Sequence, residues 1–171
     1  MKRRLFAIIT VLLLLLTAGC GAKAQPQAQV INPIQSVESA EDFQTALGVT
    51  LQAPKGSQDP AYSIISGQIA QIRYTSGVRA FTLRCAETTE DISGVYGPFI
   101  PYDSMGILIE YGSELFTVRT KYPTDGGALA LWQIGDYSYS LFTTDEIEPA
   151  TFDDYAAGIA RTYLELDHPA P

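Results

Sequence analysis

Between Tyr62 and Thr143 apolar residues recur mostly at every second position, and on either side of that stretch they recur at every third or fourth. The first spacing marks strands with one buried face; the second marks amphipathic helices. Ala40, Phe43, Ala46 and Leu47 share a helical face. Ser39 is placed to cap that helix, Glu41 and Asp42 suit the positive end of its dipole, and Gly48 is a natural stop. The period-two region predicts strands over 62–65, 68–74, 78–86, 106–111, 114–121, 128–134 and 137–143, with short glycine-bearing turns between hairpin partners. A polar loop, 87–104, interrupts them. Phe152, Tyr155, Ile159, Tyr163 and Leu166 then mark a last helix, with Thr151 as its expected cap. No strand alternates with a helix, which argues against a parallel sheet. The expected fold is α+β: a twisted antiparallel sheet of about seven strands in hairpins, with an N-terminal and a C-terminal helix packed on one face.

Alternation also assigns the cations. Arg73 is out of phase with Ile72 and Tyr74, Arg84 with Leu83 and Cys85, and Arg119 and Lys121 with Phe116 and Val118. If the apolar set faces the helices, Arg73, Arg84, Arg119 and Lys121 share the other face with Gln71, Thr82, Glu110, Thr117, Ser138 and Ser140. Two readings follow: a solvated face with cross-strand pairs such as Arg84 or Arg119 with Glu110, or a docking face for an acidic partner. In the loop, Glu87, Glu90, Asp91 and Ser93 crowd together. Their spacing lacks the alternating ligands of a calcium loop, so Asp91 is expected to cap amides or pair with Arg84 while Gly94 permits a turn. The same carboxylates are the candidates for an acid and base acting on wall glycans. The tyrosines and Trp132 fit half-buried strands as well as a carbohydrate surface.

The N-terminus carries a different signal. Lys2, Arg3 and Arg4 precede the apolar run 5–16, and Thr17, Ala18 and Gly19 lead to Cys20. The run is shorter than the roughly 20 residues that span a bilayer. It resembles a bacterial lipoprotein signal, with Thr17 a less usual first residue of the lipobox. That resemblance implies cleavage after Gly19 and acylation of Cys20, hence a membrane anchor on an exported protein. The expected organisation is a signal at 1–19, a flexible tether at 20–35, one domain at 36–166 and a tail at 167–171. Loss of Lys2, Arg3 and Arg4 with the signal takes the formal charge from −8 to −11. So acidic a chain is a poor match for nucleic acid. With Cys20 acylated, Cys85 is left without a disulfide partner in the chain and is expected to be a packed apolar thiol. The single histidine, His168, falls in the tail.

The segments 67–77 (GQIAQIRYTSG), 81–86 (FTLRCA) and 90–96 (EDISGVY), with 39–48 before and 137–140 (YSYS) after, carry a wider resemblance. They resemble an uncharacterised domain family on lipoproteins of Gram-positive, clostridia-like bacteria, with similar domains at the extracellular ends of anti-sigma-factor-like proteins. The resemblance implies an envelope location and a shared fold, and no activity. Segment 98–105 departs from it as an insertion. The reading that emerges is a non-catalytic binding or sensing lipoprotein on the outer face of the cell membrane, without a cofactor or metal, whose partner is an envelope protein or wall polymer. The alternatives are a carboxylate-dependent hydrolase of wall material and a carrier of an apolar ligand.

Overall fold

A computed structural model describes residues 33–101 and 106–167. Cys20, the signal and most of the expected tether lie outside them. Eight strands form one antiparallel sheet: β1 (Ile34–Val37), β2 (Gln58–Ile65), β3 (Ile69–Ser76), β4 (Arg79–Glu87), β5 (Ile107–Tyr111), β6 (Glu114–Lys121), β7 (Ala128–Ile134) and β8 (Tyr137–Thr143). Two helices, α1 (Glu41–Leu47) and α2 (Pro149–Asp167), complete the domain. The fold is α+β, with one strand more than the alternation predicts. The extra strand is β1, whose Ile34 and Gln35 fall where the tether was expected; four residues between Pro33 and a polar turn are too few to display a period.

The strand order is β1-β2-β3-β4-β8-β7-β6-β5. Two meanders, β1 to β4 and β5 to β8, therefore meet through β4 and β8. The chain leaves β4 in the middle of the sheet and re-enters at the far edge, on β5. At about 4.8 Å per strand the connection must cross roughly 19 Å. This journey is the reason for the long loop after Glu87.

One face of the sheet carries the core. Register rows run Ile72-Leu83-Leu141-Ala130 and Ala70-Cys85-Tyr139-Trp132 across the β3, β4, β8 and β7 strands. Every member of the first row is fully buried. Phe43 of α1 meets Tyr62 of β2 edge to face, and on α2 Tyr155 meets Phe81 while Tyr163 meets Tyr139. Both helices thus contact side chains of this face. Fully burying a Leu, Ile or Phe here stabilises by roughly 1.5–3 kcal/mol relative to exposure.

Local signals placed the helices and the Gly48 stop, but not the N-terminal caps. Ser39 does not cap α1; Asp42 Oδ2 instead accepts the amides of Glu38 and Ser39, which precede the helix. Ala40 occupies the N-cap without a side-chain bond, and Gly48 closes α1 in the left-handed conformation. At α2 the cap is Glu148, not Thr151. The Glu148 carboxylate accepts the Thr151 amide and hydroxyl, and Pro149 occupies the first helical position, where its missing N–H costs nothing. Pro60 lies within β2, beyond the last β1 pairing at Tyr62, where one edge of the strand is open.

Candidate binding cleft beneath the crossing loop

The loop crosses the sheet face opposite the helices. Its first half is a run of small side-chain-to-backbone turns. Thr88 Oγ1 accepts the Glu90 amide, Asp91 Oδ1 accepts the Ser93 amide, and Ser93 Oγ accepts the Val95 amide. Asp91 therefore caps an amide, as one of its two expected roles required. It does not pair with Arg84. The Arg84 guanidinium donates to Gln71 Oε1 and to the backbone oxygens of Ile92 and Ser93, at 2.9, 3.0 and 2.6 Å. Burial lowers its pKa from the ordinary value, partly opposed by Tyr96. Gly94 sits against this group. Its φ of 66° is left-handed, and a Cβ there would lie 2.8 Å from Arg84 Nη1. Further along, Ser138 Oγ donates to the Thr88 carbonyl, the Ile100 amide to Tyr122 O, and the Thr124 amide to Pro98 O. The Lys121 ammonium lies 5.2 Å from the centre of the Phe99 ring.

The four cations do share one face, yet they form no single patch. One register row runs Gln71-Arg84-Ser140-Leu131-Arg119, the next Arg73-Thr82-Phe142-Leu129-Lys121. Arg84 and Arg119 are three strands apart, roughly 14 Å, and Arg73 and Lys121 four strands, roughly 19 Å. Arg73 is exposed beside a separate cleft of about 350 Å³ that includes Asp59 and Phe142. Arg119 is exposed, Lys121 half-buried. Glu110 stands opposite Leu115, four residues along β6 from Arg119, so the expected pairing of Arg84 or Arg119 with Glu110 does not form. The solvated-face expectation fails over the middle of the sheet, where the loop covers Arg84 and buries Ile92 and Ser93.

Between the loop and the second meander the sheet itself opens. The ladder joining β6 to β7 consists of Arg119 with Leu131, Thr120 with Ala130 and Lys121 with Leu129. Beyond Arg119, β6 pairs with β5, while residues 132–134 of β7 pair with β8. The two hairpins therefore diverge. A cleft of about 430 Å³ occupies the divergence, with Glu90, Asp91 and Ile92 of the loop on one wall. Leu115, Thr117, Arg119, Lys121, Trp132 and Gln133 are among its other lining residues. Trp132 and Tyr139 stack at 5.4 Å, 4° from parallel, on the core side of this opening. The structure thus brings Arg119 and Lys121 together with Glu90 and Asp91, which the sequence placed in two unrelated groups. Glu87 lies apart, with Glu90 at the rim of another cleft of about 610 Å³ lined by Leu47, Val49, Ile69 and Ile92. Among the described residues no group of three His, Cys, Asp or Glu is arranged to hold a metal ion.

Gln133 was missed as a site residue, and Trp132 was weighed only as a half-buried strand residue or part of a carbohydrate surface. Both strands keep their alternation through the divergence, so the end of a ladder leaves no mark in the sequence. Comparison with protein families, curated proteins and solved structures finds no match.

Proposed function

We propose that this protein is a lipid-anchored, extracytoplasmic binding module of the cell envelope, which captures an envelope protein or wall polymer in the cleft between the crossing loop and β6 and β7. The observation that carries the binding reading is the exposed Arg119 at a ligand-sized opening in the sheet. Arg119 and Lys121 offer cations to an acidic group, across from Glu90 and Asp91 on the loop wall. The anchor reading is supported by the cationic, apolar and small-residue segments ending at Cys20, and by the resemblance of the domain to envelope lipoproteins. Several acyl chains on one cysteine hold a protein stably where a single chain is marginal.

Two measurements test this reading. Cys20→Ala should abolish lipid on the mature N-terminus and shift the protein out of the detergent phase; unchanged mass and partitioning would remove the anchor. Arg119→Gln combined with Lys121→Gln should leave the fold intact and reduce capture of envelope components, more at low salt than at high salt. Arg73→Gln, beside a different cleft, should leave capture unchanged. Equal capture by the double variant and the parent at low salt would remove the cleft as the site.

A further inference from the structure

The outer edge of the sheet at β5 carries backbone groups that the fold does not use. β5 is the last strand in the order, and its register with β6 runs unbroken from Ile107 to Tyr111. Tyr111 and Glu114 flank a two-residue turn led by Gly112 at φ 62°, so this closing pair exchanges backbone hydrogen bonds. By alternation Ile109 bonds Phe116 and Ile107 bonds Val118. Leu108 and Glu110 therefore turn their N–H and C=O groups away from β6. Both residues are exposed, and among the described residues no other segment bonds these groups. Lysine, proline or a bulge commonly protects such an edge, and β5 (ILIEY) has none of them. On the loop side Leu108 and its diagonal neighbour Leu115 are 63% and 64% exposed.

We propose that β5 pairs antiparallel with β5 of a second copy of this chain, about a two-fold axis at Ile109, so that two sheets become one. The edge is its own complement, as a two-fold contact requires. With Ile109 on the axis, Leu108 of each copy exchanges both backbone bonds with Glu110 of the other. No other antiparallel register closes both rungs. One alternative would set Glu110 against its own copy, and like charges directly opposite destabilise a ladder. The chosen register sets each Glu110 against leucine. On the loop side the two Leu108 and two Leu115 side chains then form a continuous diagonal of apolar contacts. On the helix side the half-buried Ile107 of each copy meets the half-buried Tyr111 of the other, both already packed against the core. The paired length is about 17 Å, a small contact beside the roughly 1,600 Å² of a stable complex. The dimer is therefore weak in solution and forms where copies are concentrated, as anchoring at Cys20 would arrange. Both copies turn their clefts to the same side of the joined sheet, and the pairing does not depend on what the clefts bind.

The test is cross-linking of the full chain in phosphatidylcholine vesicles at rising protein density. Cys85 is buried, so an engineered surface thiol is the reactive one. In the proposed register the two copies of residue 110 are diagonal neighbours, about 7–8 Å apart, within reach of a bismaleimide that spans about 8 Å. Residue 117 lies one strand further out in each copy, so its two copies stand at least about 14 Å apart, beyond that reach. Glu110→Cys should therefore cross-link copy to copy, and Thr117→Cys should not. Adding Leu108→Lys to Glu110→Cys places a protecting lysine at the edge and should cut the cross-linked fraction about tenfold. Adding Val78→Lys, exposed on the turn before β4, should leave it unchanged. Equal yields from Glu110→Cys and Thr117→Cys would mean random collision and overturn the pairing. So would a yield indifferent to Leu108→Lys, or no cross-link between copies whatever else β5 captures. Flotation with the vesicles reports the anchor separately. If the chain does not float, sedimentation equilibrium of the unanchored chain decides: reversible dimerisation lost with Leu108→Lys supports the pairing, and monomer throughout overturns it.

Discussion

Arg84 spends its hydrogen bonds on Gln71 and on the loop carbonyls of Ile92 and Ser93, and Gly94 leaves the room for it. Replacing it with methionine keeps the bulk and removes the donors. Hydrogen bonds from a charged group contribute about 1.5–3 kcal/mol. Arg84→Met should therefore destabilise by about 2–3 kcal/mol in urea unfolding and raise amide exchange in the loop. Gly94→Ala should act in the same direction, because alanine is strained at that φ and its Cβ meets the guanidinium. Arg73→Gln, on the exposed sheet, should stay within about 0.5 kcal/mol of the parent. A fall of several kcal/mol for Arg73→Gln would show a partner role that the register does not suggest. Cys85, fully buried beneath the helices, should react with a thiol reagent after unfolding and not before.

Among the elements, α2 depends on both its start and its buried face. Phe152 is fully buried and packs edge to face on Tyr122, whose hydroxyl reaches the Asp153 carboxylate and the Pro149 carbonyl. Phe152→Ala should cost about 3–5 kcal/mol, measured by urea unfolding. The Glu148 cap has a pH signature. Hydrogen bonds from the Thr151 and Ala150 amides hold its carboxyl below the ordinary range. A depressed folded pKa means stability present above the ordinary glutamate value of about 4.3 and lost as pH falls through the folded value. Glu148→Ala should lower the melting temperature at neutral pH, and the gap from the parent should narrow in acid. A gap independent of pH would mean that the cap acts through something other than its charge.

At the scale of the whole molecule, the core holds tyrosine hydroxyls that must stay neutral. Burial, and then the hydrogen bond to Tyr155, push the Tyr74 pKa far above its ordinary value. Burial also raises Tyr163, whose hydroxyl donates to the Gln52 carbonyl. A raised folded pKa gives stability that is complete below the unfolded tyrosine value of about 10 and is lost as pH rises beyond it. The domain should thus unfold in alkali from about pH 10 upward, with tyrosine ionisation and loss of sheet circular dichroism in one step. Ionisation of these hydroxyls at pH 10 in a still-folded domain would show that they reach solvent.

Alternation was enough to find seven of the strands, because a sheet with one buried face writes its period directly into the sequence. It also put Arg73, Arg84, Arg119 and Lys121 on a common face, since that assignment needs only the phase of each strand. The anchor reading at Cys20 rests on sequence alone. The pairing of β4 with β8 was not legible, for no local pattern says which distant strands will meet. That pairing forces the loop across the sheet, buries Arg84, and separates the four cations. The divergence of β6 and β7 was hidden for the same reason. Each strand keeps its inward and outward residues whether or not a neighbour is bonded to its edge. Local chemistry thus determined the elements and their faces, while the edges, where the candidate site lies, were decided by long-range pairing and by how both hairpins pack against α2.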